Sequence, residues 1–88
     1  MTNSNKQNQP LHVIARAPFT VYYEGPALSV TAVNKVGKFD ILSGHADFFS
    51  MLSKCECVIT TDTDDVTFDI NNGIITVRDN EVMLFVNM

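Results

Sequence analysis

The sequence has little positive charge and no long apolar run. Six lysine and arginine residues are scattered along the 88 residues, and the formal net charge is −4. A nucleic-acid-binding surface needs clustered positive charge, so the composition argues against a nucleic-acid partner. No apolar run approaches the ~20 residues of a membrane span, and the amino terminus lacks the charged and apolar regions of a secretory signal. These absences favour a cytoplasmic protein that does not insert into a membrane.

Cysteine is scarce, because only Cys55 and Cys57 are present. Two residues apart on a strand, they share one face, and a bridge between them would close a small, strained ring. A metal site would need further ligands, and His12 and His45 are far away in the sequence. The spacing therefore favours buried free thiols over a metal or redox site. No metal ion and no cofactor is predicted.

Motifs that carry catalysis are missing as well. The sequence has no Gly-rich phosphate-binding loop. Ser43, His45 and Asp47 have the residue types of a nucleophilic site, but near neighbours in one turn seldom supply the geometry of a triad. A histidine that satisfies backbone groups of the turn is the better interpretation, and an enzyme centred on His45 is a minor alternative. We predict no catalytic residue.

About nine short segments alternate apolar and polar residues, and turn signals separate them at the spacing of a β-sandwich. No segment has a convincing helical period, although residues 48–54 fit either a strand or a short helical turn. The prediction is an all-β protein, a single β-sandwich of two packed, mainly antiparallel sheets over residues 11–88. Residues 1–10 are polar and are predicted to form a disordered tail.

Glycines mark the predicted turns. Gly37 opens and Gly44 closes the stretch GKFDILSGHA, and glycine reaches positive φ without steric cost. The Asn-Gly pair that ends at Gly73 is the strongest hairpin signal, since Asn-Gly suits a type I′ turn. A further tight turn is predicted at residues 79–80. Gly37, Gly44 and Gly73 are therefore predicted to be structural turn residues.

The last strand segment, residues 82–86, is apolar at every position. Alternation places three of its side chains on one face and Met83 and Phe85 on the other. A sandwich strand with one solvated face should carry polar residues on that face. We therefore expect one face in the core and the other covered by a partner, by a loop or by the amino-terminal tail. Met83 and Phe85 are candidate partner-binding residues, and without a cover they should cause self-association.

Three stretches, in order, carry a family resemblance: LHV at residues 11–13, GKFDILSGHA at residues 37–46 and NGIITVRDNEV at residues 72–82. They resemble the amino-terminal β-sandwich domain of the epsilon subunit of F-type ATP synthases. Lys38 and Asp40 stand where that family commonly has an acidic residue and a glycine, and Asp47 stands at its proline. The family's carboxy-terminal helical hairpin has no counterpart in the sequence, which ends at Met88.

The resemblance implies a domain without bond chemistry of its own. Such a domain binds the gamma subunit and the membrane ring of c subunits, and helps to couple proton flow to ATP synthesis. Lys38, Asp40 and His45 would then contact the ring, and the apolar side of the sandwich would meet gamma. The protein would be cytoplasmic and peripheral to the membrane through the synthase complex. The alternative is a free-standing β-sandwich adaptor or regulator without the rotor role, which the changes at Lys38 and Asp40 favour.

Overall fold

The structure is a computed structural model, and it describes residues 9–88. Within that range the chain forms strands and turns, with no helix that could cross a membrane. Residues 48–54 contribute a strand rather than a helical turn, and most of the predicted amino-terminal tail lies outside the described residues. The strands are β1 (Leu11–Ala17), β2 (Thr20–Ala27), β3 (Ser29–Val33), β4 (Lys38–Leu42), β5 (Phe48–Leu52), β6 (Cys55–Thr60), β7 (Asp65–Ile70), β8 (Gly73–Arg78) and β9 (Glu81–Val86).

Two sheets form the predicted sandwich. One has five strands in the order β2-β1-β9-β8-β5, and the other has four in the order β4-β3-β6-β7. All strand pairs are antiparallel except β1 and β9, which lie parallel in the middle of the larger sheet. The prediction of an all-β fold with mainly antiparallel sheets is confirmed.

The core lies between the sheets, because each strand turns its alternate apolar side chains inward. Burying one leucine, isoleucine or valine contributes about 1.5–3 kcal/mol. Two aromatic pairs close the sides of the sandwich: Tyr22 of β2 stacks on Phe68 of β7 at 4.6 Å, and Phe39 of β4 meets Phe48 of β5 at 5.4 Å. The fully buried side chains include Leu11, Val13, Val30, Ile41, Cys57, Ile59, Ile75, Val82, Leu84 and Val86.

The predicted Asn-Gly hairpin is wrong. The strands β7 and β8 that flank it belong to different sheets, so the connection crosses the sandwich. Gly73 is the first residue of β8, pairs with Val86, and is not among the glycines with positive φ. A Cβ at Gly73 would lie 2.7 Å from Val86 Cγ1 and 2.8 Å from the carbonyl oxygen of Phe85. The glycine is required because β9 approaches closely, and a local turn rule does not register that contact.

The other predicted turns are present. Gly37 has a φ of 143° and Gly44 a φ of 83°. Asp79 and Asn80 have φ values of 51° and 63°, and they form the two-residue loop between β8 and β9. Positive φ at both central residues is the mark of a type I′ turn, whose twist matches that of the flanking strands.

Candidate partner-docking surfaces

The outward face of the five-stranded sheet carries apolar side chains on four neighbouring strands, together with Thr76 of β8 and Arg16 of β1. The register aligns Ile14 of β1 with Met83 of β9, and it aligns Phe85 of β9 with Ile74 of β8. On the edge strand β5, Phe49 and Met51 are 64% and 72% exposed. We call this surface the outer apolar face, and its residues are Ile14, Phe49, Met51, Ile74, Met83 and Phe85.

The two candidate residues of the last strand lie where alternation predicts. Val82, Leu84 and Val86 are in the core, whereas Met83 and Phe85 point away from it. Met83 is 38% exposed and Phe85 is half-buried, so the described residues leave part of each side chain open to solvent. No strand or loop within residues 9–88 covers Met83 completely.

The four-stranded sheet presents a different outward face. Its aligned residues Asp40, Thr31, Val58 and Thr67 cross the sheet in one row, and the Thr31 hydroxyl donates a hydrogen bond to the Asp40 carboxylate. Polar side chains of this kind suit a solvated sheet face. The sandwich thus has one mostly polar outward face, on which Leu42 is exposed, and one mostly apolar outward face.

His45 lies in the exposed turn that follows β4. Its ring Nδ1 is 2.8 Å from the carbonyl oxygen of Ala46, and its ring packs edge-on against Phe48 at a centroid distance of 5.5 Å. The backbone of the turn is held by a hydrogen bond of 3.1 Å from the His45 N–H to the Leu42 carbonyl. These contacts agree with a histidine that satisfies groups of its own turn.

The structure does not bring Lys38, Asp40 and His45 together. Lys38 begins β4 and pairs with Val33 beside the β3–β4 turn, whereas His45 follows the other end of the strand. A five-residue strand separates its two ends by roughly 13 Å. Asp40 lies between them, on the polar face. A flat partner surface that contacts His45 at the end of the sandwich therefore does not reach Lys38.

Both cysteines are free thiols; Cys57 is buried, as predicted, whereas Cys55 is only half-buried. Burial, and to a smaller degree the neighbouring Cys55, raises the pKa of Cys57 to about 12. The thiol therefore stays protonated at neutral pH, which is the form that neither attacks electrophiles nor binds metals well. Within residues 9–88, no group of three or more histidine, cysteine or acidic side chains is placed to hold a metal ion.

The sequence analysis did not predict two features of the structure. Ile14, Phe49 and Ile74 belong to the outer apolar face, but only the strand register joins them to Met83. Each of these three residues alternates with inward-facing residues on its own strand. Comparing that alternation across several strands was therefore the signal that could have indicated the outer apolar face. Asn80 is buried in the β8–β9 turn, and its burial depends on a loop that is distant in sequence.

Comparison with known proteins gives one family. The family model described as "ATP synthase, Delta/Epsilon chain, beta-sandwich domain" matches residues 10–88. A search of curated protein sequences finds no match.

Two solved structures share the fold. One is a chain of the Euglena gracilis mitochondrial ATP synthase, from a structure of OSCP, F1 and the c ring, with a TM-score of 0.80 and 16% identity. The other is a chain of the Tetrahymena thermophila mitochondrial ATP synthase central stalk and c ring, with a TM-score of 0.75 and 19% identity. The matches cover 92% and 89% of this chain, but only 54% and 63% of those chains. Since the family model spans nearly the whole sequence, this chain belongs to the family of ATP synthase delta/epsilon-chain β-sandwich domains.

Proposed function

We propose that this chain is a non-catalytic docking domain of an F-type ATP synthase. It binds the gamma subunit through the outer apolar face and meets the c ring through the end of the sandwich that carries His45. In this position it helps to couple proton flow to ATP synthesis, and it is cytoplasmic and peripheral to the membrane through the complex. The observation that carries the proposal is the outer apolar face, which spans four strands while the outward face of the opposite sheet is mostly polar.

An apolar surface of this kind stabilises a complex when a partner removes it from water. Each Å² of apolar area that becomes buried contributes roughly 25 cal/mol before the costs of association. Phe49 and Met51 of β5 are mostly exposed, and Met83 and Phe85 lie across the intervening strand β8 on the same face of the sheet. One partner surface would cover all four. Contiguous exposed apolar patches mark interaction sites.

The ring contact is assigned to the end that carries His45 because polar groups dominate there. Asp47 and His45 are exposed in one turn, Asp79 is exposed in the neighbouring β8–β9 turn, and Glu81 is exposed at the start of β9. The similar chains come from ATP synthase structures that contain the c ring, which supports an association of this kind. Lys38 lies at the far end of β4 and Asp40 lies on the polar face, so in this proposal neither is a primary ring contact.

The gamma contact is tested by co-purification with the gamma subunit of the same organism. The double variant Met83→Thr/Phe85→Lys should lose at least tenfold in affinity, since it removes apolar area and adds a charge that the interface must desolvate. Thr67→Lys is the matched control, because it places the same charge on the opposite, polar face. If the double variant binds gamma as tightly as the unchanged chain, the outer apolar face is not the gamma-binding surface.

A second measurement separates the synthase role from the adaptor alternative. The complex with gamma should be retained by a purified c ring, and the chain without gamma should be retained more weakly. Failure of the unchanged chain to bind gamma at all would favour an adaptor that has the fold without the rotor role.

A further inference from the structure

Among residues 9–88, Asn80 is the one polar residue that is buried, with only 6% of its surface exposed. It occupies the second central position of the β8–β9 turn with a φ of 63°. Glycine is the residue that adopts this conformation without strain, and asparagine is tolerated there because its short polar side chain bonds locally. Here the side chain bonds to a different part of the chain, so the turn alone does not account for an asparagine.

Both ends of the carboxamide are used. Its Oδ1 accepts a hydrogen bond of 2.8 Å from the Gly44 N–H, and its Nδ2 donates one of 3.3 Å to the Ser43 hydroxyl. The Ser43 hydroxyl in turn donates to the carbonyl oxygen of Gln9. The backbone carbonyl of Asn80 also accepts a hydrogen bond of 2.8 Å from the His12 N–H. Asn80 therefore joins the β8–β9 turn to the start of β1 and to the turn after β4.

The turn after β4 depends on such support, because residues 44–47 are exposed. A further backbone hydrogen bond holds it, from the His45 N–H to Leu42. An exposed turn that is ordered before binding loses less conformational entropy when a partner docks. The carboxamide is thus placed to decide how well His45 is positioned for a partner.

We propose that Asn80 is a positioning residue for docking: it holds the backbone of residues 43–45 in the conformation that presents His45 to the c ring. The docking part of this inference rests on the proposed function. The structural part, that one carboxamide orders a turn 36 residues away, is measured without any partner.

Two substitutions test the carboxamide. Asn80→Gly keeps a residue that favours positive φ but removes the side-chain hydrogen bonds to Gly44 and Ser43. Asn80→Asp keeps an acceptor for the Gly44 N–H and loses the donor to Ser43.

Asn87 provides a matched control at the opposite end of the sandwich. It is also an asparagine with positive φ, at 54°. Its side chain accepts a hydrogen bond of 2.7 Å from the Asn71 N–H and donates one of 3.1 Å to the Tyr22 hydroxyl. Asn87→Gly removes an equivalent set of contacts and leaves residues 43–45 untouched.

Amide hydrogen exchange, measured by NMR on the isolated chain, is the first readout. In Asn80→Gly the exchange of the Gly44 amide should accelerate roughly two- to tenfold, as expected for one lost hydrogen bond. Asn80→Asp should restore most of the protection, and Asn87→Gly should leave it unchanged. Unchanged exchange at Gly44 in Asn80→Gly would overturn the inference whatever the partner.

Retention of the chain–gamma complex by the purified c ring is the second readout. Asn80→Gly should weaken retention several-fold, and Asn80→Asp should weaken it less, while gamma binding stays as in the unchanged chain. If exchange at Gly44 accelerates and retention by the ring does not change, Asn80 does not position the docking surface. If the unchanged complex is not retained by the ring, the ring contact itself is wrong, and the exchange data still decide whether Asn80 orders the turn.

Discussion

At several positions of this chain, the residue type is determined by contacts with residues that are distant in sequence. Gly73 lacks a side chain because Val86 and the Phe85 carbonyl lie within 3 Å of where its Cβ would be. Asn80 has a polar side chain in the interior because the turn after β4 supplies partners for it. Gly44 differs from both, since it is required by its own backbone φ of 83°. A local requirement of this kind can be predicted from the sequence.

Replacing Gly44 by valine should destabilise the fold by about 1–3 kcal/mol, because a β-branched residue is strained at positive φ. Thermal unfolding measures the loss. Ala46→Val is the control, since Ala46 is exposed in the same turn and is not among the residues with positive φ. Equal melting temperatures for the Gly44 variant and the unchanged chain would contradict this account of the turn.

Cys57 predicts a pH dependence of stability at alkaline pH. Its pKa rises from 9.0 in the unfolded chain to about 12 in the fold, chiefly because it is buried. Above pH 9.0 the unfolded chain releases the thiol proton and the fold retains it. The contribution of the Cys57 thiol to the free energy of unfolding is therefore fully present below pH 9.0 and is lost as the pH rises through about 12.

Urea unfolding at a series of pH values measures this dependence. The free energy of unfolding of Cys57→Ala should fall less steeply above pH 9.0 than that of the unchanged chain. Parallel curves would show that the thiol does not titrate differently in the two states. Ionisable groups that are distant from residue 57 are common to both chains, so their contributions cancel in the comparison.

At the scale of elements, alternation of apolar and polar residues was sufficient for the strands and insufficient for their arrangement. The inward faces of β1, β7 and β8 follow from alternation alone. The crossing from β7 to β8 between the sheets does not, because an Asn-Gly pair carries the same local signal in a hairpin and in a crossing connection. The outer apolar face also needs the register of four strands, which no single stretch contains.

The close approach of β8 and β9 gives a prediction for Gly73. Gly73→Ala forces the new methyl group against the Phe85 carbonyl oxygen and Val86, so the strands must separate. We expect a loss of about 1–3 kcal/mol, as for other overpacked sites. Chemical denaturation measures it. The double variant Gly73→Ala/Val86→Ala should not recover the loss, because the backbone oxygen remains in place; full recovery would assign the clash to the Val86 side chain alone.

The whole molecule is a sandwich with one mostly polar and one mostly apolar outward face. Without a partner, the outer apolar face should cause self-association at high protein concentration. The double variant Met83→Thr/Phe85→Lys should stay folded and become more monomeric in sedimentation, because both side chains point away from the core. Unfolding of this variant would instead mean that the two side chains carry the stability of the sheet.

The parallel pairing of β1 with β9 has a consequence for how the protein is made. His12 and Glu81 are 69 residues apart, yet their side chains form a contact of 2.9 Å, and β9 lies between β1 and β8. During translation the larger sheet therefore lacks its central strand until residues 81–86 have left the ribosome. Until then β1 has an unpaired edge and the core lacks the side chains of Val82, Leu84 and Val86. Domains with such distant pairings fold on the order of milliseconds to seconds. Nascent chains arrested before residue 81 would thus be clients for chaperones that bind exposed apolar segments.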